Sequence, residues 1–298
     1  MSLSVIIVTW NSERYIARCL RSAETASKGI ACETVVVDNA SNDDTVNVVR
    51  TQFPQTRLIS LAANEGFARA CNRGASAAHG EYICFLNPDV EILGNSLAHM
   101  VNFFARYPHA AVVGGKLQNQ DGSLQPSIRT FPNPLSALAV ALKLGHVPFL
   151  KRWVRRDFSA ALVAAPDQAQ MVDFVSGAFF AVRKTFFDII GGLDERYFIW
   201  FEEVDLQRQA KERGGEVWYY PKAAAVHYAA QSFLQVDAAL NQERFLESMT
   251  KYIRKWFGSL AAFPLVALTP IIIIFYTAYT ALINSKLKTQ NSKPNPEI

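Results

Sequence analysis

The side chains best suited to chemistry in this 298-residue chain are carboxylates at the ends of apolar runs. Asp38 closes the run Thr34-Val-Val-Val-Asp38. Asp89 stands two residues after Asn87, just past Tyr82-Ile-Cys-Phe-Leu86. A carboxylate at the carboxyl end of a strand can accept hydrogen bonds from a base N–H or a ribose hydroxyl. It is also a hard oxygen ligand suited to Mg²⁺ or Mn²⁺. Neither a P-loop sequence nor Gly-x-Gly-x-x-Gly occurs. A bound diphosphate would lack those backbone cradles, and a divalent cation would carry more of the charge neutralisation. Further on, Glu202, Glu203 and Asp205 follow the aromatic run Tyr197-Phe-Ile-Trp-Phe201. A helix start favours acids by its dipole alone. The functional reading is a general base held beside an aromatic wall that includes Trp200. His227 ends a later apolar run. A lone histidine is commonly structural, but at the same sheet edge it can complete a metal site.

These groups need elements to hold them. Ser4–Thr9 reads as a strand, with Ser12 capping a helix through Leu20 and beyond. Thr34–Asp38 is a second strand, and Asp43 or Asp44 starts a helix carrying Val46, Val49 and Phe53. Arg57–Leu61, the helix Phe67–Ala78 and the strand Tyr82–Asn87 follow. Continuous apolar strands spaced by helices predict a mostly parallel sheet covered on both faces. Such sheets bind ligands at the carboxyl ends of their strands. Thr9 and Asn11, Asp38 to Ser41 with Asn39, Asn64 to Gly66, and Asn87 to Asp89 all fall at those ends. Each cluster alone reads as a turn or a helix cap. All of them on one edge predict a binding crevice.

The second half is less regular. Ala110–Gly114 reads as a strand, and Asn119-Gln-Asp-Gly122 as a hairpin turn. Residues 126–167 show no strand rhythm. Strands return at Met171–Val175 and Phe179–Val182. A helix over Glu202–Arg213 precedes strands at Glu216–Tyr219 and Ala223–Val226. A basic run with aromatics, residues 149–156, is either a solvated helix face or a patch for lipid phosphates.

Composition narrows the class. The formal charge of +4 is too small to mark a nucleic-acid binder. Cys19, Cys32, Cys71 and Cys84 fall at no metal-ligand spacing and read as reduced thiols, which suits a cytoplasmic catalytic part. No signal peptide is legible before the first strand. No charged residue occurs from Trp256 to Ser285. A helix of that length can cross a bilayer core of about 30 Å. Lysines and arginines flank it on both sides, so the positive-inside rule barely orients it. The expected organisation is a catalytic domain over 1–230, a connecting helix over 231–256, a membrane-associated or transmembrane segment over 257–284, and a polar tail over 285–298.

Taken in order, the motifs resemble family 2 glycosyltransferases of the A-type fold, especially the rhamnosyltransferase-like branch. They are Val8-Thr-Trp-Asn11, Val37-Asp-Asn-Ala-Ser41, Asn64-Glu-Gly-Phe-Ala68 with Asn72 and Gly74, Phe85-Leu-Asn-Pro-Asp-Val90, Val175-Ser-Gly-Ala178, Gly191-Gly-Leu-Asp-Glu195, and Phe201-Glu-Glu-Val-Asp-Leu206 with His227. The resemblance implies an α/β nucleotide-binding domain that transfers a sugar, with inversion, from a dTDP- or UDP-sugar. The acceptor would be a lipid-linked or growing surface glycan at the cytoplasmic face of the plasma membrane. Thr9, Asn11, Asp38, Asn39, Asn64, Gly66, Asn72 and Asn87 would hold the nucleotide sugar, dTDP-rhamnose on the same resemblance. Asp89 would hold Mg²⁺ or Mn²⁺, with His227 nearby. Asn87 replaces the first acid of the family's Asp-x-Asp, which removes one charge. Ser176, Gly177, Ala178 and Trp200 would line the acceptor side. The family's acidic motif places the base at Glu203, leaving Asp205 as a rival and Glu202 as its neighbour. Two other readings stay open: a polyprenyl-phosphate sugar synthase, against which the three carboxylates argue, and a non-catalytic nucleotide-binding scaffold.

Overall fold

A computed structural model describes residues 2–147, 167–228 and 235–291. The basic run 149–156 and the last seven residues of the tail lie outside the described residues. The first half alternates as its patterning predicts. β1 (Ser2–Thr9), α1 (Glu13–Ala26), β2 (Ala31–Asp38), α2 (Thr45–Gln52), β3 (Arg57–Ser60), α3 (Phe67–Ser76) and β4 (Tyr82–Leu86) follow one another. β5 (Val90–Leu93), α4 (Ser96–Arg106), β6 (Ala110–Gln118), β7 (Leu124–Gln125), β8 (Ile128–Arg129) and α5 (Pro134–Ala141) come next. The last part holds β9 (Gln170–Met171), β10 (Phe174–Val175), β11 (Phe179–Arg183), α6 (Lys184–Ile190), α7 (Glu202–Glu212), β12 (Glu216–His227), α8 (Ala238–Phe257) and α9 (Ser259–Asn291).

The main sheet runs β3-β2-β1-β4-β11-β6-β12-β5. β3, β2, β1 and β4 pair in parallel. β11 enters antiparallel between β4 and β6, and β12 lies parallel to β6. The sheet is therefore mostly parallel. Alternate residues of β1 serve opposite faces. Leu3, Val5 and Ile7 join the core under α1 and α4, while Ile6 and Val8 join the one under α3 and α7. A third cluster packs α5, α8 and the start of α9 around Phe201 and Val204.

Local chemistry differs from the sequence reading at several points. Ser12 occupies the N-cap of α1, but its hydroxyl bonds Trp10 O instead of capping. Asp44 is the N-cap of α2 without a side-chain cap, while Asp43 accepts from Thr45 and from Glu13 N. The expected strand over 171–175 divides into β9, on β12, and β10, on β8. The two strands expected over 216–226 are one, with an irregularity between Tyr220 and Ala224. β5 was not anticipated. It is four residues long with an exposed-side Glu91, so its period is too short to read.

The C-terminal segment begins inside the fold. Asp205 of α7 is fully buried. Its Oδ2 accepts from Lys255 Nζ at 2.6 Å and Gln209 Nε2 at 2.9 Å, and its Oδ1 from Trp256 Nε1 at 2.7 Å. Ala262 and Leu265 of α9 are buried in the third cluster. Beyond them the helix is apolar and open: Ser259–Ala278 is long and apolar enough to cross a membrane, and only 11% of its window is buried. The boundary expected near residue 256 thus falls within elements that pack on the catalytic fold.

A chain ending at Arg254 leaves the Asp205 carboxylate without its lysine and indole partners. Breaking a buried pair costs about 3–5 kcal/mol. Its thermal midpoint should fall by on the order of 10 °C relative to a chain ending at Ala278, measured in the same detergent. Equal midpoints would show that the Asp205 cluster contributes nothing to stability.

Candidate active site

In-register pairing aligns Thr9, Asp38 and Ser60 across the carboxyl edge of the sheet. The loops beyond are tied to each other. Thr9 Oγ1 donates to Asp38 Oδ1 at 2.9 Å, and Ser41 donates to Asp38 from both its backbone N and its hydroxyl. Asn11, at φ 48°, accepts from Asn42 N at 2.8 Å. Asn39 Nδ2 donates to Asn64 Oδ1 at 2.9 Å and to Gly66 O at 3.2 Å. Gly66 has φ 90°, and a Cβ there would stand 2.6 Å from Phe198 O, so only glycine lets the loop meet the 198 backbone. Together these loops wall a cleft of about 130 Å³, lined by Trp10, Asn39, Asn64, Gly66, Asn87, Asp89, Phe198, His227 and Arg244 among others.

Asp89 and His227 meet at the floor of this cleft through long-range pairing. β5 starts at Val90 and pairs antiparallel with β12, so His227 lies opposite Val90 and Tyr228 N bonds Asp89 O at 2.9 Å. His227 Nδ1 lies 2.7 Å from Gln125 Oε1, which assigns the ring proton to Nδ1 in the neutral ring. The lone pair at Nε2 then faces Asp89 Oδ1 at 3.4 Å. Two electron-rich atoms at that distance call for a proton or a cation between them. Adjacent ligands of an octahedral ion with bonds of about 2.1 Å stand about 3 Å apart. The spacing of the pair is compatible with a divalent cation between them. Among the described residues no third His, Cys, Asp or Glu converges on the pair.

The segment 197–201 separates this cleft from a second one. Phe198 and Ile199 line the first, while Trp200 and Phe201 line the second. Trp200 (φ 64°) and Phe201 (φ 71°) both adopt left-handed backbone, which costs a bulky residue about 1–3 kcal/mol each. Aromatic packing holds the turn. Phe245 meets Trp200 edge-on at 5.8 Å, and Phe201 packs on Phe245 and Tyr252. The second cavity is about 350 Å³, within the range of small-ligand sites, and Arg129, Phe131, Ser136, Ser176, Trp200, Glu203 and Met249 are among its lining.

The strained turn starts α7 and decides where its acids go. Glu203 faces the second cavity, against Gly177, whose absent Cβ would stand 3.2 Å from the Glu203 Cδ. Glu202 is buried in the interior. Burial first, and then the nearby Glu202 and Glu203, push the Cys71 thiol upward. One oxygen of each, Oε2, is buried without a hydrogen-bond partner. Burial pushes the Glu203 carboxyl above the usual carboxylate range. Its own backbone N–H, the Arg129 guanidinium and the N–H groups of Val204 and Gly177 pull it partly back. Burial, and then the adjacent Glu203, raise Glu202 as well.

The structure therefore gathers Asn39, Asn64, Gly66, Asn87, Asp89 and His227 in one cleft and Ser176, Trp200 and Glu203 in the other. Gly177 backs Glu203, and Ala178 O accepts from Asn87 N at 3.0 Å, so this loop joins the two sides. Thr9, Asn11 and Asp38 build the loops. Asn72 does not face either cleft: its amide is used twice on the backbone of Leu193, at 2.8 and 2.9 Å. Asp205 faces Lys255 and Trp256. Sequence reading missed Gln125, Arg129, Arg244 and Phe245. The first two lie in two-residue strands too short to pattern. The last two occupy i and i+1 of a long helix, and the aromatic partners of both (Phe198 for Arg244, Trp200 and Phe201 for Phe245) lie more than 40 residues away.

The cysteines are free, as expected. The model of the family described as glycosyl transferase family 2 matches residues 4–162. An N-acetylglucosaminyl-diphospho-decaprenol L-rhamnosyltransferase of Mycobacterium tuberculosis (strain ATCC 25618 / H37Rv) is 30% identical over 243 residues, covering 77% of each chain. Rhamnosyltransferase WbbL of Escherichia coli (strain K12) is 28% identical over 155 residues, covering 51% of this chain and 54% of that one. Among solved structures, the mannosyltransferase PcManGT from Pyrobaculum calidifontis, in complex with GDP-Man and Mn²⁺, superposes with a TM-score of 0.58 at 18% identity, over 95% of this chain and 75% of that one. TarS 1–349 of S. aureus in complex with UDP gives 0.55 at 19%, over 84% of this chain and 64% of that one. These likenesses establish the A-type glycosyltransferase fold. With fold, motifs and matches in agreement, this chain belongs to glycosyl transferase family 2 and is a glycosyltransferase of its rhamnosyltransferase-like branch.

Proposed function

We propose that the enzyme inverts the anomeric centre as it moves a sugar, L-rhamnose carried on dTDP, to a sugar linked through diphosphate to a membrane lipid. The observation that carries this reading is the Glu203 carboxyl lining the second cavity, two residues past the turn that divides it from the first, with a buried oxygen that has no partner. The cleft at the sheet edge takes the nucleotide sugar, and the cavity around Glu203 takes the acceptor. Likeness to a rhamnosyltransferase named for a lipid-diphosphate acceptor, and to one named simply as a rhamnosyltransferase, supports rhamnose as the transferred sugar. The apolar helix α9 supports work at a membrane surface, which a cytosolic nucleotide sugar places on the cytoplasmic side.

The residues divide the work. Asp38, Thr9 and Asn39 shape the pocket for the base and ribose. Asp89 and His227 hold Mg²⁺ or Mn²⁺, and the bound ion supplies neutralising charge to the departing nucleoside diphosphate. Arg244, stacked over the Phe198 ring at 4.3 Å, adds a fixed positive charge to the same cleft. Glu203 accepts the proton of the acceptor hydroxyl as the new bond to the anomeric carbon forms. A carboxyl raised by burial is a stronger base than an exposed one, and such help is worth about 10²–10⁴ in rate. Asp205, engaged by Lys255 and Trp256, positions α7 and does not touch the acceptor. Glu202 leaves Glu203 alone on the cavity side.

Glu203→Gln keeps the shape and removes the basicity. Its transfer rate should fall about a hundredfold or more with nearly unchanged nucleotide affinity. Normal transfer by Glu203→Gln together with a dead Asp205→Asn would move the base two residues along.

Asp89→Ala tests the other cleft. Thermal shift with nucleoside diphosphates and Mn²⁺ should stabilise the native chain and leave Asp89→Ala unmoved. The dTDP-sugar should stabilise more than UDP-hexoses; the reverse order would overturn the donor assignment, and full turnover in excess chelator would overturn the metal.

Stability carries a separate signature. The folded Glu203 carboxyl binds its proton more tightly than in the unfolded chain. The folded state therefore loses stability as pH climbs from the ordinary carboxylate range through the raised value. Glu203→Gln should melt higher than wild type at pH 8, with the gap closing toward pH 4. A lower midpoint at pH 8 would mean that the ionised carboxylate is stabilised in the fold.

A further inference from the structure

The helix α5 lines both the cavity around Glu203 and a separate groove. Ser136, Ala137 and Val140 of that helix line the cavity. The next residues, Ala141, Leu142 and Lys143, line a groove of about 750 Å³ whose other wall is α9, through Leu268, Ile272 and Phe275. Ala137 and Ala141 are one helical turn apart, so a chain leaving the cavity reaches the groove within about 6 Å along the α5 axis. The lining is apolar and open: Leu142 is 43%, Ile271 50% and Phe275 72% exposed. It lies on the stretch of α9 that has the length and hydropathy to enter a bilayer. Exposed apolar surface of this kind needs a cover. Both ends carry a cation. Arg129 stands at the cavity, and Lys143 Nζ lies 4.0 Å over the Tyr276 ring in the groove.

We propose that the groove between α5 and α9 binds the isoprenoid tail of the lipid-linked acceptor, with the diphosphate of that acceptor against Arg129 and its sugar at Glu203. This rests on the acceptor reading above and adds where the tail lies. The shared helix decides the occupant. A bilayer lipid would cover α9 evenly, whereas this groove shares α5 with the cavity that holds the base. A polyprenyl tail is apolar and flexible, is joined to an anionic diphosphate, and matches an apolar groove one helical turn from a cavity lined by a guanidinium. Ordering it along α5 also aims the sugar hydroxyl, so the tail contributes to positioning as well as to affinity.

The test uses the full chain in non-ionic detergent micelles, with two acceptors that share a sugar-diphosphate head. One carries a long polyprenyl tail and the other a two-isoprene tail too short to reach Leu142. Wild type should favour the long tail in kcat/KM by about tenfold or more, as burial of several methylenes requires. Leu142→Glu and Ile271→Glu should erase most of that preference, chiefly through KM. Leu260→Glu and Phe263→Glu, on exposed positions of α9 outside the groove, should keep it. Equal use of both tails by wild type overturns the groove and leaves the acceptor reading standing. Equal losses in the Leu260 and Ile271 variants assign α9 to anchoring alone and also overturn it. If neither acceptor is glycosylated, while a lipid monophosphate or a free glycan is, the acceptor reading itself fails and the groove assignment falls with it.

Discussion

Two adjacent carboxylates cannot both be ionised in a dry interior without large cost, and the site is organised around that constraint. Glu202 and Glu203 open α7, about 100° apart on the helix. The left-handed pair Trp200–Phe201 turns the chain so that one acid points inward and the other points into a cavity. Burial raises both carboxyls above the usual range, and the neighbouring Glu203 adds to the shift of Glu202. The N-terminal dipole of α7 and the N–H groups of Val204 and Gly177 keep the Glu203 anion accessible. The same turn forms the wall between two clefts, so strain, acid–base chemistry and substrate separation share the one stretch 197–203.

That turn is held from outside the nucleotide-binding half. Phe245 and Tyr252 of α8 pack on Phe201, and Lys255 and Trp256 at the end of α8 clamp Asp205. α9 then starts one residue past Gly258, whose φ of 87° allows the break. The end of α8, which leads into the helix suited to a membrane, is thereby joined through one buried carboxylate to the helix that bears the base. On the other side, the β5–β12 pairing sets His227 against Asp89. Both clefts depend on strands or helices that arrive late in the chain and close on an edge prepared by the first ninety residues.

The early part was legible because its interactions are local. Apolar runs such as Ile6-Ile-Val8 and Val35-Val-Val37 announce buried parallel strands, and small polar residues after them announce the edge. Residue type and position single out Asp89, His227 and the three acids of 202–205 as candidates; the choice of Glu203 among those acids rests on the family's acidic motif. What escaped is what depends on distant pairing. β5 and β7 are too short for periodicity, yet they place Asp89, His227 and Gln125 together. Asp205 and Glu203 are indistinguishable as sequence, and only the approach of Lys255 and Trp256 separates them. Asn72 sits in a motif beside the binding loops, but Leu193, 121 residues on, takes its amide. The aromatic run 197–201 suggested a wall; its backbone twist could not be read from side-chain types that ordinarily avoid positive φ.

The central claim is that Glu203 works as a base whose pKa is raised by burial and moderated by Arg129. The most direct measurement is the pH dependence of kcat/KM for sugar transfer, in wild type and in Arg129→Gln. Activity requires the ionised carboxylate, so the acid limb should lie above the usual carboxylate range in wild type. It should move to higher pH in Arg129→Gln, because the guanidinium that favours the anion is gone. An acid limb at the ordinary carboxylate value, or one that stays fixed when Arg129 is replaced, would contradict the account.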